Sequence, residues 1–285
     1  MSSALIFPGQ GAPAGDWRDA VAEWAPDLLV HSRRLLDGED PFGRFGEGTD
    51  YDQPAIYCAT IAAFEVAGRP RADFHAGHSL GEIPALVCAG AISEHDGLRL
   101  VVTRGRLMAG ARRRSGPGAM LAVRAAAEEI AADVDLDGVW IANLNSPSQT
   151  VLSGPTAAIE GIEERLGAAG MRTKRLAVAG AFHSPSMTPA ATELARFLRG
   201  IRVMEPAVPV ISARTARPFR DVRSELPASL IEPVRWIDVV RALRESGVDR
   251  FHEVGPGKAL TGLVRKCSDE DVETATTPLP GALSA

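Results

Sequence analysis

Cysteine is scarce in this chain. Cys58, Cys88 and Cys267 are an odd set at spacings that make neither a CxxC metal site nor a disulfide framework, so each reads as a buried thiol. Aromatic residues are few, at 5%. Positive charge is in deficit: 31 Lys and Arg face 36 Asp and Glu, a net charge of −5, which argues against a polyphosphate backbone and hence against nucleic acid as the main partner. No apolar run approaches the ~20 residues of a membrane span, so no membrane role is expected. Met1-Ser2-Ser3-Ala4-Leu5-Ile6-Phe7 has neither a basic start nor an apolar stretch of signal-peptide length, and a cytoplasmic location is the expectation. No metal or cofactor motif is read. What is present, 45% hydrophobic and 24% charged residues in 285, suits a globule with a full core, built as one large domain or as a domain carrying an insertion.

The clearest organisation lies between Gly118 and Val178. Gly118 to Val123 reads as a strand and Ala125 to Val134 as a short helix. Val139 to Leu144 and Gln149 to Ser153 read as strands joined through Asn145-Ser146-Pro147-Ser148, and Thr156 is placed to cap a helix through Leu166. Met171 to Val178 closes the unit as a strand. The order β-α-β-β-α-β is that of a ferredoxin-like sandwich, here inserted at 117–183. The flanking parts, 1–116 and 184–285, alternate strands with helices, which predicts an α/β fold with a mostly parallel sheet. Strands are expected at Ala4 to Phe7, Phe74 to Gly77, Val208 to Ser212 and Arg250 to Val254. Helices are expected at Gln53 to Val66, Glu82 to Ala89, Ser93 to Ala111, Pro185 to Leu198 and Val234 to Glu245.

Gly77-His78-Ser79-Leu80-Gly81 fits G-x-S-x-G, in which glycines permit a sharp strand-to-helix turn that exposes a serine hydroxyl. A strand before it and a helix after it, with Pro84 inside the first turn, supply the context. Ser79 is thus a candidate nucleophile needing a base. Six histidines compete: His31, His75, His78, His95, His183 and His252. His78 should diverge from the serine on a tight turn, and Asp249 with His252 sits too awkwardly around one strand start for an acid–base pair. His183 follows the inserted unit in a loop where subdomains meet, although it could equally cap the next helix. A Ser-His dyad with the imidazole oriented by a backbone carbonyl is the simplest arrangement. Phe7-Pro8-Gly9-Gln10-Gly11 ends the first strand, where parallel sheets bind ligands; it is either a plain turn or a source, with Leu80, of two oxyanion-binding amides. Arg104, in an otherwise apolar helical stretch, is either a surface arginine or a bidentate clamp for a carboxylate.

Together, FPGQG (7–11), QPAIY (53–57), GHSLGE (77–82), RGRLM (104–108), GAM (118–120), IANLNSPSQTVLSG (141–154), AFHS (181–184), PVRW (233–236) and EVGPGKALTGL (253–263) resemble the malonyl-CoA:acyl carrier protein transacylases, including the free-standing acyltransferases of polyketide synthases. The resemblance spans nearly the whole chain. It implies an α/β-hydrolase-like large subdomain with a ferredoxin-like small one, malonyl-CoA and an acyl carrier protein as partners, and no cofactor. It implies Ser79 as nucleophile, His183 as base, Gln10 and Leu80 as oxyanion donors and Arg104 as carboxylate clamp. Phe182, Met108, His78 and Asn143 are the further substrate-lining residues it implies. Phe182 completes an AFH signature associated with malonyl selection, since a bulky ring leaves little room for an α-substituent.

Two departures stand out. Where the family usually has a glutamine whose carbonyl orients the histidine, this chain has Ser229, and GQG is followed by Ala12-Pro13 in place of Ser-Gln. Asn145 reads as either a substrate contact or a turn residue. For docking an acidic carrier protein, two basic runs are candidates: Arg112 to Arg114, and Arg196 to Arg223, where seven arginines face only Glu205 and Asp221. An acyl-thioester hydrolase, or a transferase for an α-substituted malonyl unit, is the alternative reading. Nothing demands more than a monomer.

Overall fold

The computed structural model describes residues 2–178, 180–268 and 271–279. Ala179, inside the expected small subdomain, and 280–285, at the end of the expected large one, lie outside the described residues, as does Met1 of the N-terminal segment.

The first strand, β1 (Ser2–Phe7), is buried on both faces from Ala4 onward, as a central parallel strand must be. Leu5 and Phe7 enter one core, and Ala4 and Ile6 enter another on the opposite face. Over the first core lie α1 (Arg18–Trp24), α2 (Pro26–Leu35), α3 (Thr49–Val66), and, beyond β2 (Phe74–Gly77), α4 (Glu82–Cys88) and α5 (Glu94–Ser115). α3 is apolar nearly all round and accordingly buried from Gln53 to Phe64.

The chain then builds a second sheet from β3 (Gly118–Val123), α6 (Ala127–Asp133), β4 (Trp140–Ser146), β5 (Gln149–Pro155), α7 (Thr156–Ala168) and β6 (Thr173–Arg175). Its strands are antiparallel, in order β4-β5-β3-β6, as the ferredoxin-like pattern requires. Leu121, Val123 and Leu152 face Ile130, Ile159 and Ile162 of the two helices, whereas Met120 and Val151 join the main core. The alternation of β3 therefore gives the small sheet one face for its helices and one for the large sheet.

The remainder returns to the large sheet through α8 (Thr188–Leu198), β7 (Val210–Ile211), α9 (Val222–Ala228), α10 (Trp236–Glu245), β8 (Val248–Glu253), α11 (Ala259–Cys267) and β9 (Glu273–Thr276). Among the described residues this sheet runs β7-β2-β1-β8-β9 with every pair parallel. Trp236, Val240 and Leu243 of α10 and Leu260 and Val264 of α11 cover the second face.

Several expected elements change. The strand Met171 to Val178 shrinks to β6, because it pairs only with β3 at the sheet edge before the chain turns toward the cleft. Val208 to Ser212 shrinks to two residues. Pro155, not Thr156, is the N-cap of α7, and no side chain caps it. Pro185 to Leu198 divides into a 3-10 turn and α8. The helix expected from Val234 starts at Trp236, since Val234 is held in extended pairing with β4: Leu144 N–H donates to Val234 O and Val234 N–H to Ala142 O, both at 2.8 Å. α3 begins at Thr49, four residues before the expected start, with Pro54 inside it.

Candidate active site

Ser79 follows β2 with φ +54°, in the left-handed region. Glycines make that turn possible by close approach. A Cβ on Gly77 would lie 2.0 Å from the Gly81 backbone, one on Gly81 would lie 2.1 Å from the Phe7 carbonyl oxygen, and one on Gly9 would lie 2.4 Å from that of His78. The Gln10 loop and the serine turn are thus pressed together at the carboxyl ends of β1 and β2, with His78 N–H donating to Phe7 O at 3.0 Å. His183 also has a left-handed backbone, φ +55°. Such conformations cost about 1–3 kcal/mol at non-glycine residues and persist only where their surroundings over-determine them.

Three expected residues meet at one atom. His183 Nε2 is 2.8 Å from Ser79 Oγ, and Arg104 Nη2 donates to the same oxygen at 3.1 Å. His183 Nδ1 lies 2.7 Å from Ser229 O and 3.1 Å from Glu232 O. Carbonyls only accept, so the Nδ1 proton points to them and the Nε2 lone pair faces the serine hydroxyl. Arg104 is 3% exposed and His183 5%. Burial, reinforced by the Arg104 charge, holds the imidazole down to about 4. Burial also brings the Arg104 guanidinium down to about 10, against the opposing charge of Glu82. At neutral pH the site therefore holds a neutral imidazole and a cation on one hydroxyl.

These groups line a chamber of about 70 Å³ with Gln10, His78, Met108, Asn143 and Phe182. A groove of about 500 Å³ adjoins it across Gln10, His78 and Asn143 and reaches Lys258 and Lys266; a cavity of about 220 Å³ adjoins it across Gln10, Met108 and Phe182 and reaches Arg112 and Arg113. Leu80 is buried and brings only its backbone to the turn. His78 donates through Nε2 to Asn145 Oδ1 at 2.9 Å and lies 5.7 Å from the Trp236 ring. Asn145 is therefore a strand residue of β4 and not part of the turn. His252 is elsewhere, on Thr277 at 3.0 Å. In the longer basic run, Arg196 pairs with Glu193 and Arg214 with Glu232.

Residues without an expected role also belong here. Gln53, fully buried, donates to Gln10 Oε1 and Met108 Sδ, both at 3.3 Å. Met120, Leu176 and Val178 complete the chamber wall. Glu82 is fully buried one turn beyond Ser79; burial pushes its carboxyl up to about 7, against the Ala213 amide and the Arg104 charge. The QPAIY and GHSLGE stretches were the available signal for Gln53 and Glu82, since a polar residue on an otherwise apolar buried helix calls for a partner.

The sequence profile described as "Acyl transferase domain" matches residues 43–280. The chain belongs to the acyl transferase domain family. The chain is 40% identical over 301 residues to the polyketide biosynthesis protein ThaF of Burkholderia thailandensis, covering 99% of the chain but only 26% of ThaF. It is 34% identical to the polyketide biosynthesis malonyl CoA-acyl carrier protein transacylase BaeC of Bacillus velezensis, covering 93% of the chain and 96% of BaeC. The crystal structure of the malonyl-CoA:acyl carrier protein transacylase of Xanthomonas oryzae superposes with a TM-score of 0.88 at 32% identity, over 99% of this chain and 96% of that one. Among the described residues, no helix is long and apolar enough to cross a membrane.

Proposed function

We propose that this acyltransferase moves a malonyl group from malonyl-CoA to the phosphopantetheine thiol of an acyl carrier protein, in polyketide or fatty-acid synthesis, in the cytoplasm. The observation that carries this reading is the buried Arg104 guanidinium on the same hydroxyl as His183. A buried cation is costly and is of no use to a plain acyl chain, whereas it recompenses a carboxylate well.

Ser79 Oγ attacks the thioester carbonyl carbon as its proton passes to His183 Nε2. The tetrahedral oxyanion is met by the amides of Gln10 and Leu80. The C–S bond breaks, and the departing CoA sulfur takes the proton back from His183, leaving malonyl-Ser79. The carrier thiol then gives its proton to His183 and attacks the ester carbon, and Ser79 Oγ leaves with that proton. Arg104 turns to the malonyl carboxylate, which orients the acyl group and offsets the repulsion that keeps the imidazole a weak base in the empty site. Met108, Phe182 and Asn143 bound the chamber, His78 fixes Asn145 beside it, and the Phe182 ring limits an α-substituent. The two separate sheets support 117–183 as a small subdomain set into a large one of 1–116 and 184–285.

Intact-mass measurement with malonyl-CoA tests the reading: a gain of about 86 Da on the wild type, absent in Ser79→Ala, is expected. Arg104→Ala should lose malonyl loading by roughly tenfold or more while gaining acetyl loading. Release of free malonate without transfer to a carrier thiol would make the protein a hydrolase instead.

A further inference from the structure

Glu82 is a carboxylate with no exposure to solvent, in the first turn of α4 and three residues after Ser79. Burial this deep makes the charged carboxylate costly. Oε1 accepts the Ala213 N–H at 2.7 Å, while Oε2 has no hydrogen-bond partner. What offsets that cost is the Ala213 amide, the Arg104 charge and the Ser212 and Ser229 hydroxyls nearby, so its place in the network matters. Ala213 O accepts the Arg235 N–H at 2.7 Å, and Arg214, the next residue, pairs with Glu232 at 3.1 Å. Ser229 O and Glu232 O, which take the His183 Nδ1 proton, belong to the same segment. The nucleophile turn is therefore tied through one buried side chain to the loop that aims the base.

We infer that Glu82 is a positioning residue of the transfer, fixing the 213–235 support against the serine turn so that His183 Nε2 meets Ser79 Oγ. This rests on the Ser79–His183 reading above and goes beyond it. A substrate-free readout separates the two: labelling of Ser79 by a small fluorophosphonate needs the aligned dyad but neither malonyl-CoA nor a carrier protein. In Glu82→Met, which keeps the volume and removes the acceptor, labelling and malonyl-transfer kcat should each fall at least tenfold. The KM for malonyl-CoA should stay within threefold. Glu82→Gln retains an oxygen for Ala213 and should restore both rates to within threefold. Should Glu82→Met fail to fold, Glu82→Asp, one methylene too short to reach Ala213, should show the same kcat-only loss. A folded Glu82→Met or Glu82→Asp labelled at the wild-type rate, equal losses in Glu82→Gln, or a change confined to KM would overturn the assignment. A wild-type protein that the probe does not label would instead overturn the Ser79–His183 reading.

Discussion

The two sides of the cleft reach the same backbone conformation by different means. Ser79 and His183 have φ values of +54° and +55°. The serine turn is held by backbone pressed on backbone: Gly77 against Gly81, Gly81 against Phe7 and Gly9 against His78. The histidine turn has a single such contact, two residues upstream, where a Cβ on Gly118 would lie 2.4 Å from the Ala181 backbone nitrogen. Its ring is aimed by carbonyls at residues 229 and 232, 46 and 49 positions along the chain, and its loop packs through side chains such as Phe182. The nucleophile is thus fixed chiefly by backbone sterics and the base chiefly by hydrogen bonds to its ring, so the two should fail differently when disturbed.

The sharpest way to break this contrast is to add one methyl group to each side. Gly81→Ala puts a carbon 2.1 Å from the Phe7 carbonyl oxygen, an atom of a buried central strand. The loss should be about 3 kcal/mol or more, at or beyond the upper end for overpacking, read from the urea unfolding midpoint. On the other side, Gly180→Ala would meet the Phe182 ring at 2.5 Å. A ring can turn, so the cost should be about 1–2 kcal/mol, with the larger effect on acyl selectivity. Equal destabilisation by the two substitutions would erase the distinction.

The second test is pH. His183 works as its neutral form, and burial with the Arg104 charge holds it down to about 4. Measured as kcat/KM, which reports the substrate-free enzyme, malonylation of Ser79 should therefore stay nearly flat as pH falls from 8 to 5.5 and be lost only as pH falls through about 4. At pH 5 the neutral fraction is about 30-fold that of a histidine left at its ordinary value near 6.5. The linked stability has the same sign. The unfolded histidine binds its proton first, so this contribution is complete above about 6.5 and is lost as pH falls toward 4. Rapid-mixing rates across this range, repeated in Glu82→Gln to remove the neighbouring buried carboxyl, should show no inflection near 6.5.

The same contrast explains what could be read from the residues alone. The small sheet was legible because its signals are local: alternating strands, a short hairpin connection and two amphipathic helices within about 60 residues. The serine turn was legible because G-x-S-x-G states its own steric requirement. α1, α2, α9, α11 and β9 were not anticipated. β9 joins the large sheet only through pairing with β8, and helices such as α9, seven residues with Pro227 inside, carry little periodicity. At the site, Ser79 came from its motif, whereas His183 and Arg104, each open on residue type alone, took their roles from the family resemblance. Glu82 and Gln53 came from neither, because the meaning of a buried polar group lies in its partners: the Ala213 amide is 131 positions from Glu82, and Gln10 is 43 from Gln53.

The smallest effect should come from the residue that looked most anomalous. Ser229 stands where a glutamine is usual in the resembling family, yet its part toward His183 is played by the carbonyl oxygen, at 2.7 Å, which every residue type possesses. Its hydroxyl is engaged elsewhere, donating to Leu226 O at 2.8 Å, inside the last turn of α9. Ser229→Ala removes that bond, together with a hydroxyl that also faces the Glu82 carboxyl, and should cost about 1 kcal/mol of stability while changing the malonylation rate less than about threefold. A loss of tenfold or more at unchanged stability would mean that the hydroxyl itself acts on the base or on Glu82. In that case, the histidine side of the cleft would depend on side-chain chemistry rather than on the path of the backbone.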